Sequence, residues 1–559
     1  MYKKIVLLLL ICIPSLVKSQ NKDFYNEAVF LDYNSSNYLV GETIYFKLYN
    51  LNTSNNTLSH LSKIAYIEII DENKKSISKQ KLLLLNGVAN GDVFLPVELK
   101  TGVYKLIAYT SYMINQNVSN FFIDEITIVN PYQSLLSSNI DNAETNTSQI
   151  FKITYNDDLE LMLDKKTFST REKVNLIINS KLKDVRNNLS ISIRKIDEFS
   201  NSNNINTNGF SSKNVNKNSL LNYKIPELRG EIISGKITTN NNLLSIENKT
   251  IALSITGENF ATKIVRTNIK GEFNFILDQI PNNNNAIIQI MEDDRTNYQI
   301  QLTENKIDYS PLNFSKKVTI SPKIKKIIEN KSIANQIENA YFSIKKDTVK
   351  EDVKIKSFYH PYEKIIKLDE YTRFPSLKET IIEILPEVYF KEKNNHYNIN
   401  IRSTENNIVG TGVALTLIDG LVIQNAEELF EFDTRNIDRI EFVNKIYVYG
   451  PKVFNGIINF ITKTNNYELK EKGDYILKTE IQRPLNKKYY YNQDYSDASK
   501  YERIPDYRYQ LLWDPDLVIE NEKTISFYTS DIKGHFEINI EGFTSDGKPV
   551  SVKEYFEVE

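Results

Sequence analysis

The run from Leu415 to Lys463 constrains this chain most. It opens LTLIDGLVI, with apolar stretches on both sides of Asp419-Gly420. An Asp-Gly pair between apolar runs marks a tight turn, because both residues tolerate positive φ. A short polar segment with Glu427 and Glu428 follows, then a β-rich run from Ile440 to Val448. Tyr449-Gly450-Pro451 breaks the chain, and Gly456 precedes a last strand from Ile457 to Thr462. The order is strand, turn, strand, helix-like segment, strand, loop, strand. That order predicts a mixed α+β unit.

The Ile418-Asp419-Gly420 turn, the Ile437-Asp438-Arg439-Ile440-Glu441 run, Tyr449-Gly450, and Asn455-Gly456-Ile457-Ile458 leading into Thr462-Lys463 resemble the plug domain of TonB-dependent outer-membrane receptors. A receptor plug is followed by a long barrel. Here fewer than 100 residues follow Lys463. The resemblance therefore implies another task for this domain, or a barrel met in trans. No short TonB-contact segment follows Gln20, so a TonB-energised role is not expected.

The chain has 559 residues, 41% of them hydrophobic and 11% aromatic, enough for several domains with their own cores. A net charge of −2 gives no general attraction to nucleic acid or anionic membrane. Lys3 and Lys4, the apolar stretch Ile5 to Val17, and Val17-Lys18-Ser19 before Gln20 read as a secretory signal peptide. Cys12 is the sole cysteine and lies within that leader. Ile11 before it is not the small residue a lipobox wants. The mature chain is thus expected to lack disulfides, a thiol nucleophile and cysteine-based metal sites. No later stretch is long and apolar enough to span a membrane.

After the leader the pattern is β. Gly41-Glu42 turns into alternating Ile44, Phe46 and Leu48. Further strands start near Ile64, Leu82, Val93 and Val103. This spacing predicts an immunoglobulin-like sandwich. Gly41-Glu42-Thr43, Leu61-Ser62-Lys63, Gly102-Val103-Tyr104 and Tyr109-Thr110-Ser111-Tyr112-Met113 look like a macroglobulin-type domain of Bacteroidota envelope proteins. That resemblance implies a binding or scaffolding module. Leu159 to Leu163, Thr167 to Lys173, Val174 to Ile178 and an edge-like Leu189 to Arg194 are similar to a second such repeat. Thioester chemistry needs a cysteine and is absent from the expected mature chain. Gly230, Ile232, Gly235 and the stretch from Thr267 to Phe273 resemble a carboxypeptidase-regulatory-like sandwich, a structural module. Leu512-Trp513-Asp514-Pro515 and Phe527-Tyr528-Thr529 look like the closing segment of the same envelope proteins.

The expected fold is mainly β: several Ig-like or macroglobulin-like sandwiches in series with one α+β plug-like domain. Its parts are a signal peptide (1–19), a macroglobulin-type sandwich (20–135), a second one (150–200), a carboxypeptidase-regulatory-like sandwich (226–305), a helical linker (322–345), the plug-like domain (376–466) and a C-terminal sandwich (505–559). The polar stretch from Asn201 to Asn218 reads as a linker or exposed loop. Ile324, Ile327, Ile328, Ala334, Ile337 and Tyr341 fall on one helical face, which predicts a helix packed on a neighbouring domain.

Catalytic patterns are scarce. His60, His360, His396 and His535 are scattered and form no HExxH pair. No phosphate-binding loop or GxSxG elbow occurs. Asp157-Asp158, Asp293-Asp294 and Glu427-Glu428 are poor general acid–base sites, because adjacent strand residues point to opposite faces, and they read as solvated turns. We expect no enzyme, no cofactor and no metal. Tyr489, Tyr490, Tyr491, Tyr495 and Tyr501 are the candidate partner-binding residues, with Tyr507 and Tyr509 in the same run. Each offers a flat apolar face and a hydroxyl. Packing across neighbouring domains is the plainer account. The expected role is an exported, non-enzymatic accessory or scaffold of an outer-membrane complex, in the periplasm or at the cell surface, partnered by a barrel protein. The alternative is a macroglobulin-like peptide- or peptidase-binding protein without a thioester.

Overall fold

The computed structural model describes residues 27–133, 153–182, 188–199, 205–211, 225–279, 281, 283–304, 306–314, 318, 320–350, 354–393, 396–402, 413–497 and 501–559. The expected signal peptide and most of the 201–218 stretch lie outside them. The chain is mainly β, with sandwiches in series and one α+β unit. The described residues divide into two compact units: one is drawn from 1–226, 308–348 and 487–559, the other from 227–307 and 349–486.

In the first unit, strands Glu27–Tyr33, Thr43–Asn52 and Val88–Phe94 make one sheet of the first sandwich. Asn37–Leu39, Phe122–Val129, Gly102–Thr110, Ile64–Ile70 and Ser76–Leu83 make the other, in that order. Ile44, Phe46 and Leu48 are fully buried, as their alternation predicts. A buried carboxylate ties the two sheets together. Glu27 accepts from Asn50 Nδ2 (2.7 Å), Ser59 Oγ (2.8 Å), Ser62 N (3.1 Å), Ser62 Oγ (2.6 Å) and Thr110 Oγ1 (2.7 Å). Ser62 and Thr110 belong to the short patterns singled out in the sequence. Their hydroxyls offset the desolvation of this charge.

The second sandwich corrects two expectations. The regions 150–200 and 505–559 are not separate sandwiches. Strand Leu189–Lys195 lies between Gln510–Leu517 and Gly534–Phe543, antiparallel to both. Lys173–Ser180 pairs with Glu522–Tyr528 in the facing sheet. Nor is 189–194 an edge: Leu189, Ile191 and Ile193 are fully buried on one core with Phe536, Ile538 and Ile540. Within 201–218, Thr207–Ser211 forms a helical turn rather than an exposed loop. Thr207 is fully buried and donates to Glu541 Oε2 at 2.8 Å.

The 322–345 segment is also more than a linker. Ser321 caps helix Pro322–Ala340, with Pro322 at its first turn. Ile328 and Ala334 are buried, and Ile324 and Ile327 pack on the same cluster as Leu39 and Val129. Asn335 and Asn339 donate to the carbonyls of Val40 and Gly41 at 2.9 and 3.1 Å. Gly41 has φ +83°, and a Cβ there would sit 2.9 Å from Asn335 Nδ2. The turn thus needs glycine both for its backbone and for the helix.

In the second unit, strands Glu272–Leu277, Glu231–Thr239 and Tyr298–Leu302 face a sheet of Ala261–Arg266, Thr250–Ile255, Asn285–Ile290 and Ile476–Glu480. The last strand lies far beyond the expected 226–305 boundary, so that boundary is corrected. The α+β unit has a mixed five-stranded sheet, ordered Lys364–Lys367, Ile437–Val443, Ile457–Thr462, Leu415–Ile418, Leu421–Val422. Leu415–Ile418 runs parallel to Ile457–Thr462. Helix Leu377–Ile384, capped by Ser376, covers it through Leu377 and Ile381. The short turns of the Leu415 to Lys463 run bind it to the sandwich. Gly420 has φ +80°, and a Cβ would meet Phe260 at 2.3 Å. Its carbonyl accepts from Thr262 Oγ1 at 2.6 Å. Buried Asp419 accepts from Thr462 N and Oγ1, both at 2.7 Å. A Cβ on Gly450 would lie 2.2 Å from the carbonyl of Ile264.

Ionisable groups are buried where the two sandwiches of the first unit meet. Lys47 is fully buried and donates to the carbonyls of Leu189 (3.1 Å) and Pro515 (2.6 Å). Desolvation lowers its pKa to about 7. Asp32 accepts from Ser190 Oγ at 2.7 Å, and burial raises its pKa to about 6 against the pull of Ser190, Lys553 and Lys47. Burial raises Glu541 too, with Asp32 adding repulsion. The folded state therefore holds the Asp32 proton more tightly than the unfolded chain. Stability from that proton is present below its ordinary 3.8 and is lost as pH rises to about 6. Asp32→Asn should stabilise the fold by about 1–3 kcal/mol at pH 8 and far less at pH 4. Denaturant titrations at both pH values check this. A larger loss of stability at pH 8 than at pH 4 would contradict it.

Candidate functional site: an aromatic cleft in the first unit

The register of Leu189–Lys195 on Gln510–Leu517 pairs Ser192 with Trp513 and Arg194 with Gln510. Arg194, Lys195 and Trp513 line a cleft of about 720 Å³. The long helix contributes Lys331, Asn335 and Glu338. The first sandwich adds the Gly41-Glu42 turn, Tyr45 and Asp92, and the 488–491 segment closes one side. This volume suits a small ligand or a few residues of chain.

One wall is aromatic. Trp513 stacks on Tyr45 with centroids 6.1 Å apart, and Tyr490 meets Tyr45 edge-on at 5.4 Å. Trp513 is 4% exposed, and its buried indole N–H has no acceptor among the described residues. A buried donor left in that state costs about 1–3 kcal/mol. Phe94, Val97 and Phe342 also line the cleft and are each more than half exposed.

Charges line the rest. Lys331 pairs with Glu42 at 3.0 Å, and Glu42 also accepts from the Leu39 N–H at 2.6 Å. Lys488 pairs with Asp92 at 2.8 Å. Lys345 reaches Glu338 at 2.7 Å and Asp506 at 3.4 Å. Arg508 grips Asp506 through Nε and Nη2, both at 2.7 Å. Lys195 differs from these. Its ammonium lies 5.0 Å from the Tyr509 ring centroid, with no carboxylate or carbonyl partner among the described residues. Burial and the nearby Lys331 cation lower its pKa, with Asp197 opposing them.

The tyrosine candidates divide. Tyr490 and Tyr491 line the cleft. Tyr490 donates to Asp92 at 3.4 Å, and the Tyr491 N–H donates to Asp347 at 2.9 Å. Tyr489 is 63% exposed and does not line it. Tyr495 donates to Asp506 at 2.7 Å and packs edge-on against Tyr528 and Tyr501. The Tyr501 carbonyl accepts from Arg171 at 3.1 Å. Tyr495 and Tyr501 thus support the fold beside the cleft. Sequence reasoning missed Tyr45, Lys195, Lys331 and Trp513 as cleft residues. The single tryptophan was the one signal available.

Among the described residues no group of His, Asp and Glu could hold a metal, and no helix is long and apolar enough to cross a membrane. No family model matches the chain, and no curated protein matches it. Similar solved structures include Salmonella alpha-2-macroglobulin reacted with methylamine, at 8% identity over 96% of this chain and 39% of that one, with a TM-score of 0.24. The native conformation of E. coli alpha-2-macroglobulin gives 9%, 96%, 40% and 0.24. E. coli alpha-2-macroglobulin activated by porcine elastase gives 8%, 95%, 44% and 0.24. The chain spans about two-fifths of the length of those proteins.

Asp506 holds one end of the cleft together. Burial alone would raise its pKa, but Arg508, Lys345 and Tyr495 outweigh that and hold it at about 2. Its contribution is full above the ordinary 3.8 and is lost as pH falls towards 2. Asp506→Ala leaves Arg508 and Lys345 buried without their shared carboxylate. It should cost about 3–5 kcal/mol at pH 7, measured by urea unfolding. A change below about 1 kcal/mol would contradict this reading.

Proposed function

We propose that this chain is a non-enzymatic scaffold protein of the cell envelope, an accessory subunit that docks on an outer-membrane barrel protein. The observation that carries this reading is the α+β unit. The run that resembles a receptor plug in sequence supplies four of the five strands of its mixed sheet, and its Asp419-Gly420 and Tyr449-Gly450 turns are fixed against a sandwich. A plug-like unit anchored this way is a rigid docking block for a barrel in trans. The leader read from the sequence supplies the export route.

A second reading, binding of peptide segments without covalent trapping, is favoured by the aromatic cleft of the first unit. Purification of the tagged full chain from detergent-solubilised outer membranes, with mass spectrometry, separates the two. The scaffold reading predicts a stoichiometric barrel protein that stays bound at 0.5 M salt. Recovery of a peptidase with no barrel protein would overturn it in favour of the second.

A further inference from the structure

We infer that the cleft of the first unit binds an extended protein segment carrying an acidic side chain next to an aromatic one. This rests on the peptide-binding reading and specifies the chemistry of its ligand.

Charge complementarity carries the first step. Arg194, Lys195, Lys331, Lys345, Lys488 and Arg508 line the cleft, against Glu42, Asp92, Glu338 and Asp347. Lys331, Lys345, Lys488 and Arg508 each have a carboxylate within 3.4 Å, and Arg194 lies 4.0 Å from Glu537. Lys195 has no carboxylate at ion-pair distance among the described residues: it lies over the face of Tyr509, with Asp197 attracting it from farther off and Lys331 repelling it. A half-buried ammonium in this position gains most from an incoming carboxylate.

A second, independent observation comes from Trp513. Its buried N–H has no acceptor among the described residues, although its ring is packed on Tyr45. A backbone carbonyl from an extended segment is the acceptor such a donor matches. The rim supplies the third element. Phe94, Val97 and Phe342 expose apolar surface at the cleft, which suits an aromatic side chain of the ligand. Carboxylate, carbonyl and aromatic ring within a few residues describe a peptide. A neutral glycan offers Lys195 hydroxyl acceptors but no negative charge.

The test uses the full chain and two capped pentapeptides, acetyl-Ser-Phe-Asp-Phe-Ser-amide and the same with Asn for Asp. Trp513 is the only tryptophan in the sequence, so its emission reports on the cleft directly. Calorimetry gives the affinity. The Asp peptide should bind at least about tenfold tighter than the Asn peptide and shift the Trp513 emission. Lys195→Gln should remove that preference, while Lys195→Arg keeps most of it. Trp513→Phe, read by calorimetry alone, should weaken both peptides about equally.

Equal binding of the two peptides, or an unchanged preference in Lys195→Gln, would overturn the acidic specificity and leave peptide binding standing. No heat and no emission change with either peptide at millimolar concentration would overturn both. Displacement of the Asp peptide by cellohexaose, with Lys195→Gln taking up the sugar as well as the parent chain, would replace the proposal with a glycan site.

Discussion

The pairing of strand Leu189–Lys195 with Gln510–Leu517 on one side and Gly534–Phe543 on the other is the constraint on which the first unit depends. A strand cannot leave both backbone edges unpaired in a buried sheet. Leu189, Ile191 and Ile193 share their core with Phe536, Ile538 and Ile540, which arrive from more than 300 residues downstream. The same pairing brings Arg194 and Trp513 to the lining of the cleft. Fold and site therefore share one long-range contact, and closing such a loop is slow as well as entropically costly.

The contact between the two sandwiches of this unit is polar where an apolar seam would be simpler. Strand Thr43–Asn52 is buried over most of its length because one face meets its own core and the other meets the second sandwich. Lys47, Tyr49, Asp32, Ser190 and Glu541 meet there through directed hydrogen bonds. Groups of this kind contribute little net stability, but they penalise any other registration of the two sandwiches. The short 207–211 helix seals the edge of this layer, with Phe210 packed on Phe30 at 5.2 Å.

Local signals were legible in the sequence wherever geometry is local. The alternation of Ile44, Phe46 and Leu48, the Ser321-Pro322 helix start and the Asp419-Gly420 turn all follow from short-range rules. The turn glycines also carried information beyond the backbone: Gly41 and Gly420 mark close approaches of other elements. What stayed hidden depends on partners far away in the chain. Nothing in residues 189–194 says that both neighbours come from the C-terminal region, so an edge strand was the natural expectation. Lys47 looked like an ordinary outward-facing residue of an alternating strand, because no pattern reveals that a second sandwich covers that face. The tyrosine run gave one part of the cleft lining, Tyr490, Tyr491, Tyr507 and Tyr509. Tyr45 and Lys331 came from strands and helices whose own periodicity accounts for them.

Hydrogen exchange of the full chain, read residue by residue over 189–195 and 510–558, tests the shared-sandwich account most directly. It predicts that the amides of both segments are protected to the same free energy and open together in one cooperative step. Exchange of 510–558 at a lower free energy, with 189–195 still fully protected, would show a C-terminal module that folds by itself and would contradict it.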